Sequence, residues 1–394
     1  MFHLNFRNKF PLGGNTLKKD DLEIVKKWIH SRQDWYNEDI VHTYQNEFAS
    51  FNECAFAFAF TGGRVALSSC IYALGLKEGD TVIIPGYTCI AVPNAFWFEG
   101  INIVFCDIEL DTYGLDIVDL HRKLKAHPNT KVILLHHLYG LICKNYEDIL
   151  ALAQSRRIPV IEDCTHATGA RFKGKRIGSE SPYAFYSSEQ SKIFNTFNGG
   201  IGTTCDDQIA EKMIEYSRLQ SNTSKVRILK YLKNIEYCYY LNSSPFRKSL
   251  RYWWMLKYLE SYLPSTTEEE YNSIQPTHYA SRFPAPLAAV GINQIKKIDQ
   301  NNEARRNMAL YWDTWCEKNG HKKAFVLPES EPVFLRYPVM VPEAMKKDHS
   351  WAKSLNIEVG DWFRTNLHPV VKDIPGCPNA NAAVIHCINL PTLD

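Results

Sequence analysis

IPVIEDCTHATGARFKGKRIGSESPYAFYSSEQSKIFNTFNGGIGTT, residues 158–204, holds the pattern that decides the fold. Three short apolar runs stand in it, IPVIED at 158–163, YAFYSS at 183–188 and GIGTT at 200–204, parted by stretches rich in Gly, Ser and charge. Runs of this length with such boundaries read as strands. The same rhythm extends upstream through TVIIP at 81–85, NIVFCDI at 102–108 and KVILLHH at 131–137. Helix-length segments such as Tyr146 to Ser155 lie between. Strands this apolar alternating with helices predict an α/β fold whose largely parallel sheet is covered on both faces. Ligands of such sheets sit beyond the carboxyl ends of the strands, so the polar residues closing each run are the candidates for chemistry.

Around this centre the chain organises simply. Residues 18–29 place Leu22, Val25, Trp28 and Ile29 on one helical stripe behind Asp20 and Asp21, either of which is a candidate cap. Residues 220–265 break the rhythm with an aromatic and basic insert, and 286–318 read as one long helix. We expect an N-terminal arm and large domain over 1–270, carrying the insert, and a smaller α+β domain over 271–394. A length of 394 residues accommodates such a division.

Composition excludes several classes. A formal charge of +2 with 22% charged residues gives no field suited to nucleic acid. Eleven cysteines, an odd number without any C-x-x-C pair, fit neither a disulfide framework nor a zinc pattern, so no metal is expected and reduced thiols in the cytoplasm are. The start MFHLNFRNKFPLGG lacks the apolar stretch of a secretory signal, and no run of about 18 apolar residues follows anywhere.

Asp163 closes one strand and Lys192 follows the next, in SSEQSKIFNTFNGG. Singly, the first reads as a helix cap and the second as a solvated amine. Jointly they suit a carbonyl cofactor bound as an imine. Such chemistry needs an amine that can lose its proton and an anion opposite a pyridine nitrogen. Its phosphate needs backbone N–H groups at a helix start, and Gly62-Gly63 before RVALSSCIYALGL offers one.

These segments together resemble the DegT-type (StrS-like) nucleotide-sugar aminotransferases, a fold-type-I pyridoxal-phosphate family that makes amino-deoxysugars. GGRVALSSCIYALGLKEGDTVIIPGYTCIAVPNAF, IVFCDIELDTYGLD, LLHHLYG, VIEDCTHATGARFKGKRIGS and FYSSEQSKIFNTFNGGIGTT carry the resemblance, in order, between about residues 18 and 220, and it resumes from about 278 to 320. It implies the type-I fold, with a seven-stranded-type sheet and a smaller C-terminal domain. It implies pyridoxal 5'-phosphate held by Lys192 as a Schiff base, Asp163 on its ring nitrogen and His166 near its phenolic oxygen. Gly63, Arg64, Val65 and Ser187 fall at its phosphate-contacting positions.

Departures are local. The residue after Thr88, often an aromatic stacked on the ring, is Cys89, so a thiol packs there or Tyr87 takes the role. The Asn that in relatives reaches the neighbouring subunit's phosphate is Ala280, two residues before Arg282, and the chain stops at Asp394 where many relatives continue into a final helix. His137 and Tyr139 in the HLYG block and His368 in NLHP are substrate-contact candidates by position in the resemblance.

The resemblance implies transfer of an amino group from an amino acid, commonly glutamate, to a keto group of a nucleotide-linked deoxysugar, by a homodimer. Dehydratase relatives replace the lysine with histidine, and this chain keeps Lys192. The alternatives are dehydratase or epimerase chemistry on a related sugar and a non-catalytic cofactor-binding relative. Seven Lys and Arg against two Glu between Val226 and Leu263, with Trp253 and Trp254 among them, also suit contact with a membrane surface, against the plainer reading that the aromatics pack on protein.

Overall fold

A computed structural model describes residues 12, 16–31, 34–243, 248–372 and 374–393, with the side chains of 243 and 248–252 outside the description. Seven strands build the main sheet: β1 (Phe56–Phe60), β2 (Thr81–Pro85), β3 (Asn102–Cys106), β4 (Thr130–His136), β5 (Val160–Asp163), β6 (Ala184–Ser187) and β7 (Gly200–Thr204). Their order across the sheet is β1-β7-β6-β5-β4-β2-β3. All pairings from β6 through β3 are parallel, while β7 runs antiparallel to both β1 and β6. Val82, Ile83 and Ile84 in β2 and Val132 to Leu135 in β4 have no exposed surface, as a sheet covered on both faces requires. β1, FAFAF, lies upstream of the predicted strands and closes the sheet edge.

The parallel register brings the carboxyl ends of β4, β5 and β6 to one rim, with His136 opposite Asp163 and Asp163 opposite Phe185. The chain order β5, β6, β7 then delivers Asp163, Ser187 and the glycine pair to neighbouring points of that rim.

The predicted long helix over 286–318 is two helices, Ala285–Ile295 and Ile298–Lys318. The break at residues 296–297 turns the Lys297 amine onto Asp20 and Asp21, at 2.7 and 2.8 Å. Phe283, Leu287, Val290 and Ile298 share one core cluster with Trp28, Phe48 and Tyr186, whereas Trp312, Cys316, Phe334, Tyr337 and Ile388 form another. Helix Ile298–Lys318 thus gives Ile298 to the first cluster and Trp312 and Cys316 to the second. The smaller unit pairs Tyr337–Met340 antiparallel with Cys387–Leu390. It reaches back to the larger one where Leu367–His368 lies parallel to Thr88–Cys89.

The insert is a pair of helices, Lys225–Ser243 and Lys248–Ser261. Trp254 stacks on Tyr240 at 4.3 Å, and Lys26 donates to the Tyr240 hydroxyl, so Trp254 packs on protein while Trp253 stays 46% exposed. Arg247 and the side chains of Lys248 and Arg251, which the membrane-surface reading counted, lie outside the described residues. No described helix is long and apolar enough to cross a membrane.

Candidate active site

The phosphate end is built by close approach. Helix Gly63–Leu74 begins at the rim, and a Cβ on Gly63 would stand 3.1 Å from the Ser187 Cβ and 3.5 Å from a Thr165 methyl. Across the loop, a Cβ on Gly200 would fall 2.3 Å from the Gly62 carbonyl oxygen, and one on Gly199 would fall 2.3 Å from the Ser188 hydroxyl. The glycine pair is thus a packing requirement: only a bare backbone lets β7 lie against the loop. The Val65 amide donates to the Gly62 carbonyl, which leaves the amides of Gly63 and Arg64 without an acceptor among the described residues. Two free donors at the positive end of a 12-residue helix, with the Ser187 hydroxyl beside them, suit a phosphate. The Arg64 guanidinium is committed elsewhere, to Glu270 and the Ser265 carbonyl, so Arg64 offers its backbone only.

Asp163 is 6% exposed, and its Oδ1 accepts from the Thr165 amide (3.0 Å) and hydroxyl (2.6 Å). Its Oδ2 has no hydrogen-bond partner among the described residues. Burial raises its pKa above the ordinary carboxylate value against the pull of Thr165 and Lys192. Lys192 lies in a loop closed by hydrogen bonds from the Ser188 amide to the Gly199 carbonyl and from the Thr196 amide to the Ser188 carbonyl, both 2.9 Å. Burial lowers the Lys192 pKa, opposed first by Glu189 and then by Cys89 and Asp163. A buried carboxyl with one oxygen left unpartnered suits a protonated ring nitrogen, and a buried amine whose pKa is lowered suits formation of an imine.

The residues that sequence reasoning missed come from the smaller unit. Trp362 stacks on His166, with ring centres 5.2 Å apart and planes 15° apart. The Lys192 Nζ lies 5.0 Å from the same indole, and the Arg336 guanidinium carbon 4.3 Å from it. His166 accepts the Tyr139 amide on Nδ1 at 3.2 Å, and burial, then Lys192 and Arg336, drive its pKa well below the ordinary value. No local pattern marks Trp362 in VGDWFRTNLHP as a site residue.

The remaining expected residues divide. Tyr87 is fully buried, its hydroxyl 3.0 Å from that of Tyr139 and accepting the Phe363 amide at 3.1 Å, so it supports the wall rather than presenting a free ring. Tyr139, also fully buried, donates to the Trp362 carbonyl at 2.5 Å and thereby positions Trp362. His137 has no exposed side-chain surface. Its Nε2 lies 3.4 Å from Glu162, and its Nδ1 accepts the Cys143 amide. The substrate contact expected of His137 does not fit that packing. Cys164 joins His137 and Glu162 with ligand atoms within 4.8 Å, but Glu162 also accepts from Tyr146, so the group is a hydrogen-bonded packing cluster. His368 stays half-exposed, stacked on Phe363 at 5.2 Å beside Cys89, its pKa lowered to about 4 by burial. A cavity of about 310 Å³ extends from the loop at 61–65 past Asn198 to Arg227 and Tyr231 of the insert.

The model of the DegT/DnrJ/EryC1/StrS aminotransferase family matches residues 15–394. The chain belongs to this family. A GDP-perosamine synthase of Escherichia coli O157:H7 is 34% identical over 189 residues, 48% of this chain and 50% of that protein. A second, from Caulobacter vibrioides, is 28% identical over 304 residues, 77% of this chain and 69% of the relative. The chain thus spans about half the length of the first relative. An aminotransferase from Psychrobacter cryohalolentis superposes with a TM-score of 0.72 at 22% identity, covering 97% of this chain and 94% of its own, which shows the type-I fold. Family membership bears out the resemblance, the fold class and pyridoxal-phosphate dependence. The Gly63–Ser187 cradle and the unpartnered Asp163 oxygen fit that cofactor.

Proposed function

We propose that this protein moves an amino group from an amino acid, glutamate first among candidates, to a keto carbon of a nucleotide-linked deoxysugar. The observation that carries the reading is the buried Asp163 facing the Lys192 loop, with the phosphate cradle on the same rim. Pyridoxal phosphate, held by the Gly63–Ser187 cradle, Asp163 and Lys192, would supply the carbonyl that carries nitrogen from the amino acid, which leaves as a 2-oxo acid, to the keto carbon. Asp163 holds the ring nitrogen protonated. Lys192, its lowered pKa favouring the free amine, would take a proton from the donor's α-carbon and return it to the carbon on the other side of the nitrogen. The Gly63 and Arg64 amides and the Ser187 hydroxyl hold the phosphate, while Trp362 and His166 wall the site against water. Two relatives named for a GDP-linked product support a nucleotide sugar as acceptor. We further place the site at a homodimer interface in the cytoplasm, the partner closing the cavity beside Arg64 and Tyr231.

An absorption spectrum before and after adding glutamate tests this. Wild type should show a visible cofactor band that glutamate bleaches, and Lys192→Ala should lack that band and lose turnover by at least about 10³-fold, as expected for removal of a general base that also anchors the cofactor. No visible band after incubation with pyridoxal phosphate would sink the reading. A band indifferent to every amino acid would leave the cofactor and move weight to dehydration or epimerisation.

A further inference from the structure

Arg336 is a buried cation without an anion. It is 7% exposed, yet its guanidinium makes no hydrogen bond and no ion pair among the described residues, and its Nε is sealed from solvent without a partner. Arg176, equally buried, forks onto Asp299, and Arg305, which also lacks an anion and leaves Nε and Nη2 unpartnered, still donates from Nη1 to the Leu335 carbonyl and the Thr392 hydroxyl; among the described residues Arg336 has neither kind of partner. An uncompensated buried charge costs several kcal/mol, so a guanidinium with no hydrogen bond and no ion pair gains most from a ligand that neutralises it. The nearby acids Glu189, Glu358 and Asp361 act on Arg336 only from beyond ion-pair distance. What Arg336 does touch is the Trp362 ring, the same ring that faces Lys192 and stacks on His166.

The missing anion therefore belongs beside the amine that handles nitrogen transfer. The cofactor's phosphate already has its cradle at Gly63 and Ser187, on the rim. The diphosphate of a sugar nucleotide lies a sugar ring or more from the reacting carbon. The α-carboxylate of an amino donor is one bond from the carbon that carries the nitrogen, and a planar guanidinium matches a carboxylate bidentately. We propose that Arg336, laid flat on Trp362, is the subsite for the donor's α-carboxylate. This rests on the aminotransferase reading and adds to it the residue that selects amino acids over other amines.

The test titrates cofactor-loaded protein spectroscopically with L-glutamate and, separately, with methylamine, which attacks the same carbonyl but has no carboxylate. Arg336→Gln should raise the half-saturating glutamate concentration about 30- to 100-fold, as loss of a charged bidentate pair implies. Arg336→Lys should recover part of it, and the methylamine titration should stay within about twofold of wild type. A glutamate response unchanged in Arg336→Gln overturns the inference alone. So does weakened binding of GDP with glutamate unaffected, which would give the site to the nucleotide's phosphates. A wild-type protein that binds no pyridoxal phosphate overturns the parent reading, and this inference with it.

Discussion

Two regions meet at Lys192 and were assembled by different means. The sheet rim, Asp163, Ser187 and Gly199-Gly200, comes from adjacent strands whose spacing in the chain sets their spacing in space. The cover, Arg336, Trp362 and His368, comes from more than a hundred residues later and is held by Tyr139, Asn389 and the bridge to Thr88–Cys89. At the rim, charge is matched to backbone amides and short hydroxyl bonds. In the cover, a guanidinium and an amine share one indole, with no carboxylate in ion-pair contact with Arg336. The difference suggests that the rim serves the cofactor, which is always the same, and the cover serves substrates, which vary.

That division can be broken by experiment. Asp163→Asn should strike hardest, lowering turnover about 10²- to 10³-fold by removing an electrostatic partner of the ring, while leaving the cofactor bound. Should the variant keep near wild-type turnover, the rim does not carry the chemistry assigned to it. Trp362→Ala, which removes the ring on which Arg336 lies and which stacks on His166, should raise the half-saturating donor concentration about tenfold, the scale of one aromatic stack, while weakening cofactor retention less than loss of Ser187 does. Equal weakening of retention by Trp362→Ala and by loss of Ser187 would erase the distinction between the regions.

The remaining effect is one of stability and leaves the comparison of the two regions least touched. His136, 2% exposed at the end of β4, places Nε2 2.7 Å from the Tyr113 carbonyl, and burial lowers its pKa from 6.5 to about 4. The folded state therefore keeps it neutral where the unfolded chain protonates it. Its contribution is fully present above pH 6.5 and declines as pH falls towards 4, by at most about 1.4 kcal/mol per pH unit. Denaturant melts from pH 7.5 to 4.5 should show that slope, and His136→Gln should flatten part of it. A slope identical in both proteins would detach the rim histidine from acid sensitivity.

Six of the seven main strands were legible because each is a compact apolar run ended by Gly, Pro or polar residues, a signal contained within each segment. β1 is less legible because its FAFAF, as apolar as the rest, stands just upstream of the alternation of strand and helix segments. The break at 296–297 was hidden because nothing there disfavours helix, and the decisive contacts are with Asp20 and Asp21 near the other end of the chain. Asp163 and Lys192 stand out in the sequence by their position at and after the ends of successive strand runs, whereas His166 and Ser187 enter only through the resemblance to the family. His137 shows the converse: position in the HLYG block implies a place near the site, and packing turns its ring onto Glu162.

By itself, then, the sequence determined the α/β sheet and set Asp163 and the Lys192 loop at the ends of adjoining strands, because those are consequences of local periodicity and chain order. The tertiary structure alone decided which ring walls the site, that the Arg64 side chain is diverted to Glu270, and that Arg336 is left with a charge to satisfy. Those depend on contacts between segments far apart in the chain, where side-chain packing and desolvation, not local pattern, set the outcome.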